Sequence, residues 1–555
     1  IHREPETFTP HLSTSRTIPA EREISLGDWV IPLSPGKMNL LRGGEAFWNV
    51  LGRHGVESTI FRIPSNFPPE ESDARTLSGM GTPDILGTYG TFSYYTVSPP
   101  EEANSMGGGA VFPVEVREDT VTADLVGPQN TFRKGKPRCK VPFTVRMDPV
   151  NPVARIELQG QEILLKEGEW SDWLTVKFEM LPYLETASGI LRIYLKELHP
   201  EFKMYVSPIN IDPREPVMPI STPDDYARDL ARKVGCFYTQ GMPEDTKALS
   251  NRILTDGEYL DQAFFVLNER LKFYGYELNR FREGFFFFYF SSLDLNSHMF
   301  WRAMDPAHPL FSKEVHKEFG WFIPYLYEKM DEVIGKAMAV MDDRTTLMVM
   351  SDHGFVSFRR GFNLNTWLLN NGYANLYDPF SQEETQFFDN IDWSRTKAYG
   401  LGINSLYLNL EGREKNGVVK EGEEAERLVR EIGERLCRLK DPLTGKRAIS
   451  GVYRPREVYR GPHTQAAPDL IVGYNREYRS SWDTILGSYP LEEFVDNEDK
   501  WSGDHCMDPS FLRGVFLCSR PFRNTNPSLQ DLGPSILKEF GVGTPKEMIG
   551  RSIFG

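Results

Sequence analysis

The sequence has few cysteines and no arrangement of them that would build a disulfide framework or a zinc ribbon. Its 555 residues include only five cysteines, and no two of them form a Cys-x-x-Cys pair. An odd and scattered set excludes a disulfide-rich scaffold and leaves the compartment, cytoplasmic or extracytoplasmic, open. The five are Cys139, Cys236, Cys437, Cys506 and Cys518.

Long apolar segments are missing as well. The most apolar run, Phe285–Phe290, is far shorter than the roughly 20 residues that a membrane-spanning helix needs. The sequence therefore predicts no transmembrane segment, and its start does not resemble a signal peptide. Because the first residue is Ile1 rather than Met, we expect that an N-terminal piece precedes it.

Positive charge is in the minority, with 63 Lys and Arg against 78 Asp and Glu and a net charge of −15. A protein that coats nucleic acid needs dense Lys and Arg to neutralise phosphates, so that class is excluded. Neither a Gly-x-Ser-x-Gly elbow nor a Walker A loop occurs, which argues against an α/β-hydrolase serine enzyme and a P-loop NTPase. The sequence does not indicate an oligomeric state.

The hydrophobic pattern divides the chain into three zones. Residues 105–215 alternate apolar and polar positions in short Val-, Thr- and Ile-rich runs, which predicts a β-sandwich-like insertion. Residues 216–555 carry long helix-spaced patterns, such as Val315–Met341, between short apolar strands, and residues 1–104 are mixed. Strands that alternate with helices indicate a doubly wound, mostly parallel α/β sheet with helices on both faces. We predict that 1–104 and 216–555 are two parts of one such domain.

A carboxylate and an imidazole follow the apolar run Phe285–Phe290, which is predicted to be a buried central strand. Asp294 lies just beyond this strand, at the edge where open α/β sheets bind ligands. If a helix begins there, Asp294 and His298 are four residues apart on one face and can bind the same ion. The alternative is an N-capping Asp and a surface His.

A second apolar strand, Thr346–Met350, ends in the same kind of residues. Asp352 and His353 follow it, and Gly354 allows the chain to turn sharply. Carboxylate and imidazole together suit Zn²⁺ or a similar borderline metal. A polar turn is the alternative, but two similar strand ends in a chain with only ten histidines favour a metal site.

A third histidine, His505, lies in a loop before another apolar strand, Val515–Cys518. It supplies the fifth predicted ligand. His463, in the sequence Gly-Pro-His-Thr, is the competing candidate for this position. Cys506 could also bind metal, although a buried thiol is the simpler interpretation.

Together, these residues resemble the alkaline phosphatase superfamily. Asp-Leu-Asn-Ser-His at 294–298, Ser-Asp-His-Gly at 351–354 and Gly-Asp-His at 503–505 are similar to its type I phosphodiesterase/nucleotide pyrophosphatase-like branch. The resemblance covers most of residues 1–100 and 220–555 and includes the C-terminal segment. It implies a phosphodiesterase, nucleotide pyrophosphatase-like enzyme or phosphatase that hydrolyses a small phosphoester substrate with two divalent ions, Zn²⁺ or alternatively Mn²⁺.

The resemblance also implies a role for each ligand. Asp294, His298 and His505 would bind one ion, and Asp352 and His353 the other, together with an Asp from a first strand. A Ser or Thr nucleophile would attack phosphorus while the metals lower its pKa and neutralise charge. The family places this nucleophile and the first-strand Asp upstream of Ile1, so we expect them on a preceding segment.

Alternatives to this enzyme remain at this point. The chain could be a degenerate, catalytically inert relative that acts as a binding or structural protein. A sulfatase of the same fold would be expected to show Cys-x-Pro-x-Arg, which no cysteine here matches.

Other polar residues are candidates for substrate binding. Arg359 and Arg360 follow Asp-His-Gly closely, and an arginine there could bind a phosphate through two hydrogen bonds. The alternative is a surface loop whose arginines pair with acidic neighbours. His463 is a third candidate for contacting substrate.

Overall fold

The structure is a computed structural model that describes residues 2–3, 10–11, 13–34, 36–101, 107–461 and 464–554. It is a mixed α/β protein with several sheets, which confirms the predicted class. The chain divides into two compact units. The first unit comprises Ile1–Ser13 and Asn296–Arg520, and the second comprises Thr14–Leu295 and Pro521–Gly555. No helix in the described ranges is long and apolar enough to cross a membrane.

The second unit contains a parallel arrangement around the phenylalanine run. Strand Phe285–Phe288 pairs in parallel with Ser58–Phe61, and that strand pairs in parallel with Arg75–Leu77. Ser221–Thr222 completes this sheet in the antiparallel direction. Phe61 and Phe288 stack with ring centroids 4.3 Å apart, because residues in register on parallel strands point to the same face.

The β-rich part of the second unit consists mainly of antiparallel strands. Leu125, Val145 and Phe178 are among the buried residues of one apolar cluster there, and alternation along the strands brings them to the same side. The strands of the second unit outside the parallel sheet are Ser15–Ile18, Glu23–Leu26, Trp29–Pro32, Lys37–Leu40, Phe92–Thr96, Gly109–Pro113, Thr120–Gln129, Arg138–Met147, Val153–Leu158, Gln161–Lys166, Glu169–Trp170, Leu174–Leu181, Glu185–Leu191, Ile193–Glu197, Lys203–Val206 and Asn210–Ile211.

Helices of the second unit follow the predicted apolar spacing. The longest, Asp256–Arg280, begins with a capping box in which Thr255 and Glu258 each bond the other's backbone. The other helices of this unit are Phe47–Arg53, Tyr226–Val234, Thr246–Ser250 and Leu529–Glu539.

The first unit alternates short strands with helices. Its strands are His2–Arg3, Pro10–His11, Met348–Met350, Val356–Phe362, Ala398–Gly400, Ser405–Leu408, Ile449–Tyr453, Leu470–Tyr474, Glu477–Ser480, Phe494–Asp496, Gly503–Asp504 and Phe516–Cys518. Its helices are Lys313–Phe319, Phe322–Met338, Leu364–Asn370, Glu423–Arg438, Pro455–Val458 and Trp482–Leu486. Helix Ser292–Phe300 contains the boundary between the units, which falls after Leu295.

Two details differ from the sequence-based expectation. The helical pattern over Val315–Met341 forms two helices, Lys313–Phe319 and Phe322–Met338, separated by Gly320 and Trp321. Strand Phe285–Phe288 is partly buried and lies at the end of its sheet among the described strands, so the prediction of a central strand buried on both faces is wrong. The described strands form several small sheets, the largest parallel arrangement contains three strands, and the doubly wound sheet stays a prediction. The predicted insertion boundaries at 104/105 and 215/216 stay predictions.

Candidate metal centre

Two of the predicted ligands lie on one short helix. Helix Ser292–Phe300 begins shortly after strand Phe285–Phe288 ends, as the sequence predicted. Asp294 is in its first turn and His298 in its last, four positions later. A helix places such residues on the same face, so their side chains point in a common direction.

His298 is buried, with 2% of its surface exposed. Its Nδ1 lies 2.7 Å from the carbonyl oxygen of Gly503, and its ring stacks on Trp501 with centroids 3.7 Å apart. Burial lowers the pKa of His298 to about 3, so the imidazole is neutral at pH 7. When Nδ1–H donates to the carbonyl, the lone pair is on Nε2, the arrangement typical of a metal-binding histidine.

The short strand Gly503–Asp504, which pairs antiparallel with Val356–Ser357, lies close to the helix. The Ser502 N–H donates to the His298 carbonyl at 2.7 Å, which satisfies an acceptor at the end of the helix. A Cβ at Gly503 would lie 2.8 Å from the Ser297 carbonyl oxygen and 2.8 Å from Cβ of Trp301. Only glycine allows this approach, and it brings the loop carrying His505 against the helix.

His505 lies close to the helix ligands. Asp294, His298 and His505 each offer one ligand atom, and these atoms all lie within 4.8 Å of one another. Burial lowers the pKa of His505 to about 4, so this imidazole is also neutral at pH 7. One carboxylate and two neutral imidazoles form a donor set that suits Zn²⁺.

Asp504, next to His505, is buried and fully hydrogen-bonded. Backbone N–H groups of His505 and Cys506 donate to its Oδ1 at 2.6 and 2.9 Å. The Trp501 indole N–H donates to Oδ2 at 2.8 Å, and Arg479 Nε lies 2.8 Å from the same oxygen. Burial alone would raise the pKa of Asp504, but Arg479 and the neighbouring imidazoles hold that pKa well below its ordinary value.

Asp352 and His353 directly follow strand Met348–Met350, as predicted. The His353 and His505 rings stack with centroids 3.6 Å apart, so these two predicted ligands are neighbours. His353 Nε2 lies 3.6 Å from Asp352 Oδ1, and the Asp352 side chain is 44% exposed. A Cβ at Gly354 would lie 2.7 Å from the Arg513 carbonyl oxygen, so glycine is required at this turn.

The predicted substrate-binding arginines contact protein carboxylates. Arg359 donates from Nε and Nη2 to both oxygens of Asp305, at 2.7 and 2.6 Å, and from Nη1 to Glu477. Arg360 Nε lies 2.7 Å from Asp441 Oδ2, and its Nη1 contacts Asp496. These contacts are the alternative considered from the sequence, so binding substrate would require the guanidinium groups to leave these partners.

His463 lies outside the described residues. Its predicted contact with substrate, and its role as the competitor of His505, stay predictions. Cys506 Sγ lies 3.9 Å from His505 Nδ1, and burial raises the pKa of this thiol well above its ordinary value.

One protein family matches this chain. The model for type I phosphodiesterase / nucleotide pyrophosphatase matches residues 195–485, which is more than half of the 555 residues. The chain belongs to this family. The match includes Asp294, His298, Asp352 and His353 and ends before His505. No curated protein and no solved structure matches the chain.

Membership of this phosphodiesterase family indicates the general class of reaction. The family consists in general of metal-dependent enzymes that hydrolyse phosphoesters. The described residues include groups that could hold a metal ion. Phosphodiesterase-type hydrolysis is therefore the class of activity that the family indicates.

The sequence did not indicate a role for Arg479 or for Asp504. Arg479 is 1% exposed and contacts Asp504. It lies on strand Glu477–Ser480, which is not adjacent to His505 in the sequence. The only local signal was the carboxylate directly before His505. The sequence around an arginine on a short strand does not indicate the carboxylate with which it will pair.

Proposed function

We propose that this protein is a two-metal phosphoester hydrolase. Asp294, His298 and His505 hold one divalent ion, and Asp352 and His353 contribute to a second. Zn²⁺ is the favoured ion and Mn²⁺ the alternative. The observation that carries the proposal is the convergence of the Asp294, His298 and His505 ligand atoms within 4.8 Å, in a chain of a metal-dependent family.

The chemistry of the donors supports an ion at this place. Both imidazoles are neutral at pH 7 because burial lowers the pKa of His298 to about 3 and that of His505 to about 4. Neutral imidazoles need not lose a proton before they bind a cation. The hydrogen bond from His298 to Gly503 also fixes the ring orientation and makes the ligand more basic.

The proposed fold is the doubly wound, mostly parallel sheet of the alkaline phosphatase superfamily. It is supported by the parallel pairing of Phe285–Phe288, Ser58–Phe61 and Arg75–Leu77. In such sheets, ligands bind beyond the carboxyl ends of the strands. Helix Ser292–Phe300 begins beyond the carboxyl end of Phe285–Phe288, and Asp352 follows strand Met348–Met350.

In the proposed reaction the residues of this chain hold the two divalent ions and keep the metal ligands oriented. Two bound divalent ions would lower the pKa of the nucleophile and neutralise the phosphoryl oxygens. The buried His298 keeps its ring fixed between Trp501 and the Gly503 carbonyl, so it would not need to reorganise during reaction. The Ser or Thr nucleophile is a proposal from the family resemblance and is assigned to no residue of this chain. The substrate class is a small phosphoester.

The test is the variant Asp352→Asn in the full-length protein. Asn has nearly the same shape but lacks the negative charge that would help to hold the second cation. Hydrolysis of nitrophenyl phosphate mono- and diesters with added Zn²⁺ or Mn²⁺ should fall by several orders of magnitude. A metal-activated nucleophile is worth several kcal/mol, and each ~1.4 kcal/mol is about tenfold in rate.

Asp342→Asn is the matched control, because Asp342 is 55% exposed and pairs with Arg344 in a surface turn. It should leave the hydrolysis rate nearly unchanged. Full activity in Asp352→Asn would reject a role for this carboxylate. Wild-type protein that hydrolyses neither ester and binds no zinc would instead favour the inert relative.

A further inference from the structure

The loop that carries His505 is held by a buried ion pair. Arg479 Nε lies 2.8 Å from Asp504 Oδ2, and the two residues are 1% and 0% exposed. Taking two charges out of water is expensive, and apolar residues of similar size often give equal or greater stability. The presence of this pair is therefore poorly explained by stability alone.

Asp504 is not available as a metal ligand, although it lies beside one. It forms, with His505 and Cys506, a second group whose possible ligand atoms are within 4.8 Å of one another. Its Oδ1 already accepts two backbone N–H groups, and its Oδ2 faces the Trp501 indole N–H and Arg479. The carboxylate thus fixes the direction of the backbone from which the His505 ring projects.

Arg479 connects this carboxylate to a sheet of the first unit. It lies on strand Glu477–Ser480, which pairs in parallel with Val356–Phe362. Its guanidinium lies over the Trp482 ring at 4.1 Å, and Trp482 in turn packs edge-on against Trp501 at 5.9 Å. The Asp504 backbone also pairs with Val356 of the same strand, so Arg479 and this pairing together define the position of the Asp504 carboxylate.

We propose that Arg479 and Asp504 are a positioning pair that aims the His505 imidazole at the ion shared with Asp294 and His298. The proposal rests on the proposed function. A metal site requires its ligands to lie within about 0.5 Å of the productive geometry, which a loop achieves only when other residues lock it. One of the two backbone N–H groups that donate to Asp504 Oδ1 is that of His505 itself, and the other is that of Cys506, so displacing the carboxylate displaces the ligand.

The test is zinc binding by the full-length protein, stripped of metal and titrated with Zn²⁺ at pH 7 by calorimetry. Arg479→Met leaves Asp504 without its cation, and the affinity for the zinc ion at Asp294, His298 and His505 should fall by about 10- to 100-fold. Arg479→Lys keeps the charge but loses the flat guanidinium that lies over Trp482, so its affinity should be intermediate.

A matched control separates positioning from general destabilisation. Arg413, in the same unit, lies 2.9 Å from Glu414 and 2.6 Å from Asp469, and its side chain is 21% exposed. Arg413→Met also breaks a largely buried ion pair, but in a different loop. It should lower the unfolding midpoint in urea and change the zinc affinity by less than about threefold, since only ligand and supporting residues set that affinity.

The double variant Arg479→Met/Asp504→Asn addresses a failure of Arg479→Met to fold. It removes both charges, so no unpaired buried charge remains and the urea midpoint should return toward that of the wild type. Zinc affinity should stay reduced, because an amide has one acceptor oxygen, whereas Asp504 accepts from two backbone N–H groups at Oδ1 and from the Trp501 indole N–H at Oδ2.

The outcomes distinguish this proposal from the proposed function. Wild-type protein that binds neither Zn²⁺ nor Mn²⁺ would reject the proposed function and this proposal with it. Zinc binding in the wild type together with an unchanged affinity in folded Arg479→Met, or in the double variant, would overturn the positioning role alone. An equal loss of affinity in Arg413→Met would also overturn it.

Discussion

The two predicted ligand groups have the same chemistry but different surroundings. His298 and His505 are held by a stacked Trp501, the Gly503 carbonyl and the buried Asp504. Asp352, by contrast, projects from a strand end with 44% of its side chain exposed. The sequence presents both groups alike, as a carboxylate and an imidazole after an apolar strand. In the structure, His353 has a backbone partner as well, since its Nδ1 lies 3.0 Å from the Gly354 carbonyl oxygen, and the difference is greatest at the exposed Asp352.

This difference bears on how each group would bind an ion. Supporting residues keep ligands in place before the ion arrives, so less ordering remains to be done on binding. We therefore expect the ion at Asp294, His298 and His505 to be held more tightly than one at Asp352 and His353. We call Asp294, His298 and His505 the held group, and Asp352 and His353 the open group. If the surroundings matter, changes to them should affect the held group, and the largest effect is expected at Gly503.

Gly503→Ala should damage the held group most directly. The added Cβ would lie 2.8 Å from the Ser297 carbonyl oxygen and 2.8 Å from Trp301 Cβ, and neither is the end of a flexible side chain. Forcing extra volume into such a contact typically costs about 1–3 kcal/mol. Urea unfolding should show a loss of this size, and zinc affinity at His505 should fall with it.

Gly335→Ala is the matched control in the same unit. Gly335 lies inside helix Phe322–Met338, and a Cβ there would meet nothing within 4 Å. Alanine at such a site should stabilise by about 0.5–1 kcal/mol, since glycine loses more freedom on folding. If Gly503→Ala were as stable as the wild type, the close approach of helix and loop would not be real.

Zinc titration of the wild type should show two affinities. The supporting hydrogen bonds of a metal ligand are typically worth about 10- to 100-fold in affinity, so we expect a difference of that order between the ions. His505→Ala should remove the tighter ion, and Asp352→Asn the weaker one. Two ions of equal affinity would show that the exposed position of Asp352 has no consequence for binding.

Much of the fold could be predicted from local patterns. Four residues of the six-residue aromatic run Phe285–Phe290 form the predicted strand, Phe285–Phe288, but that strand is partly buried and lies at the end of its sheet, so its central, fully buried position was predicted wrongly. Helix Asp256–Arg280 shows both its apolar spacing and the Thr255 cap in the sequence. The break at Gly320 was missed, since the apolar spacing continues on both sides of it. Apolar spacing indicates a buried face but not where one helix replaces another.

The candidate site was predictable only as far as its ligand types. Helix spacing placed Asp294 and His298 on one face without any knowledge of the fold. Ion pairs between residues far apart in the sequence have no such regular spacing. Arg359 contacts Asp305 and Glu477, and Arg479 contacts Asp504, yet nothing local in the sequence distinguishes these two arginines. Long-range packing decides which carboxylate each arginine contacts.

The smallest expected effect is the response of the held group to pH. Burial lowers the pKa of His298 to about 3 and that of His505 to about 4, while an unfolded histidine titrates near 6.5. Between about pH 6.5 and 4 the unfolded chain therefore binds more protons than the folded one. The unfolding free energy of metal-free protein should fall as pH decreases, by up to ~1.4 kcal/mol per pH unit for each histidine. His298→Gln should remove one such contribution. Between pH 7.0 and pH 5.0, urea unfolding should therefore show a smaller decrease in unfolding free energy in the variant than in the wild type. Equal losses would mean that His298 is solvated in solution, and the distinction between a held and an open ligand group would then disappear.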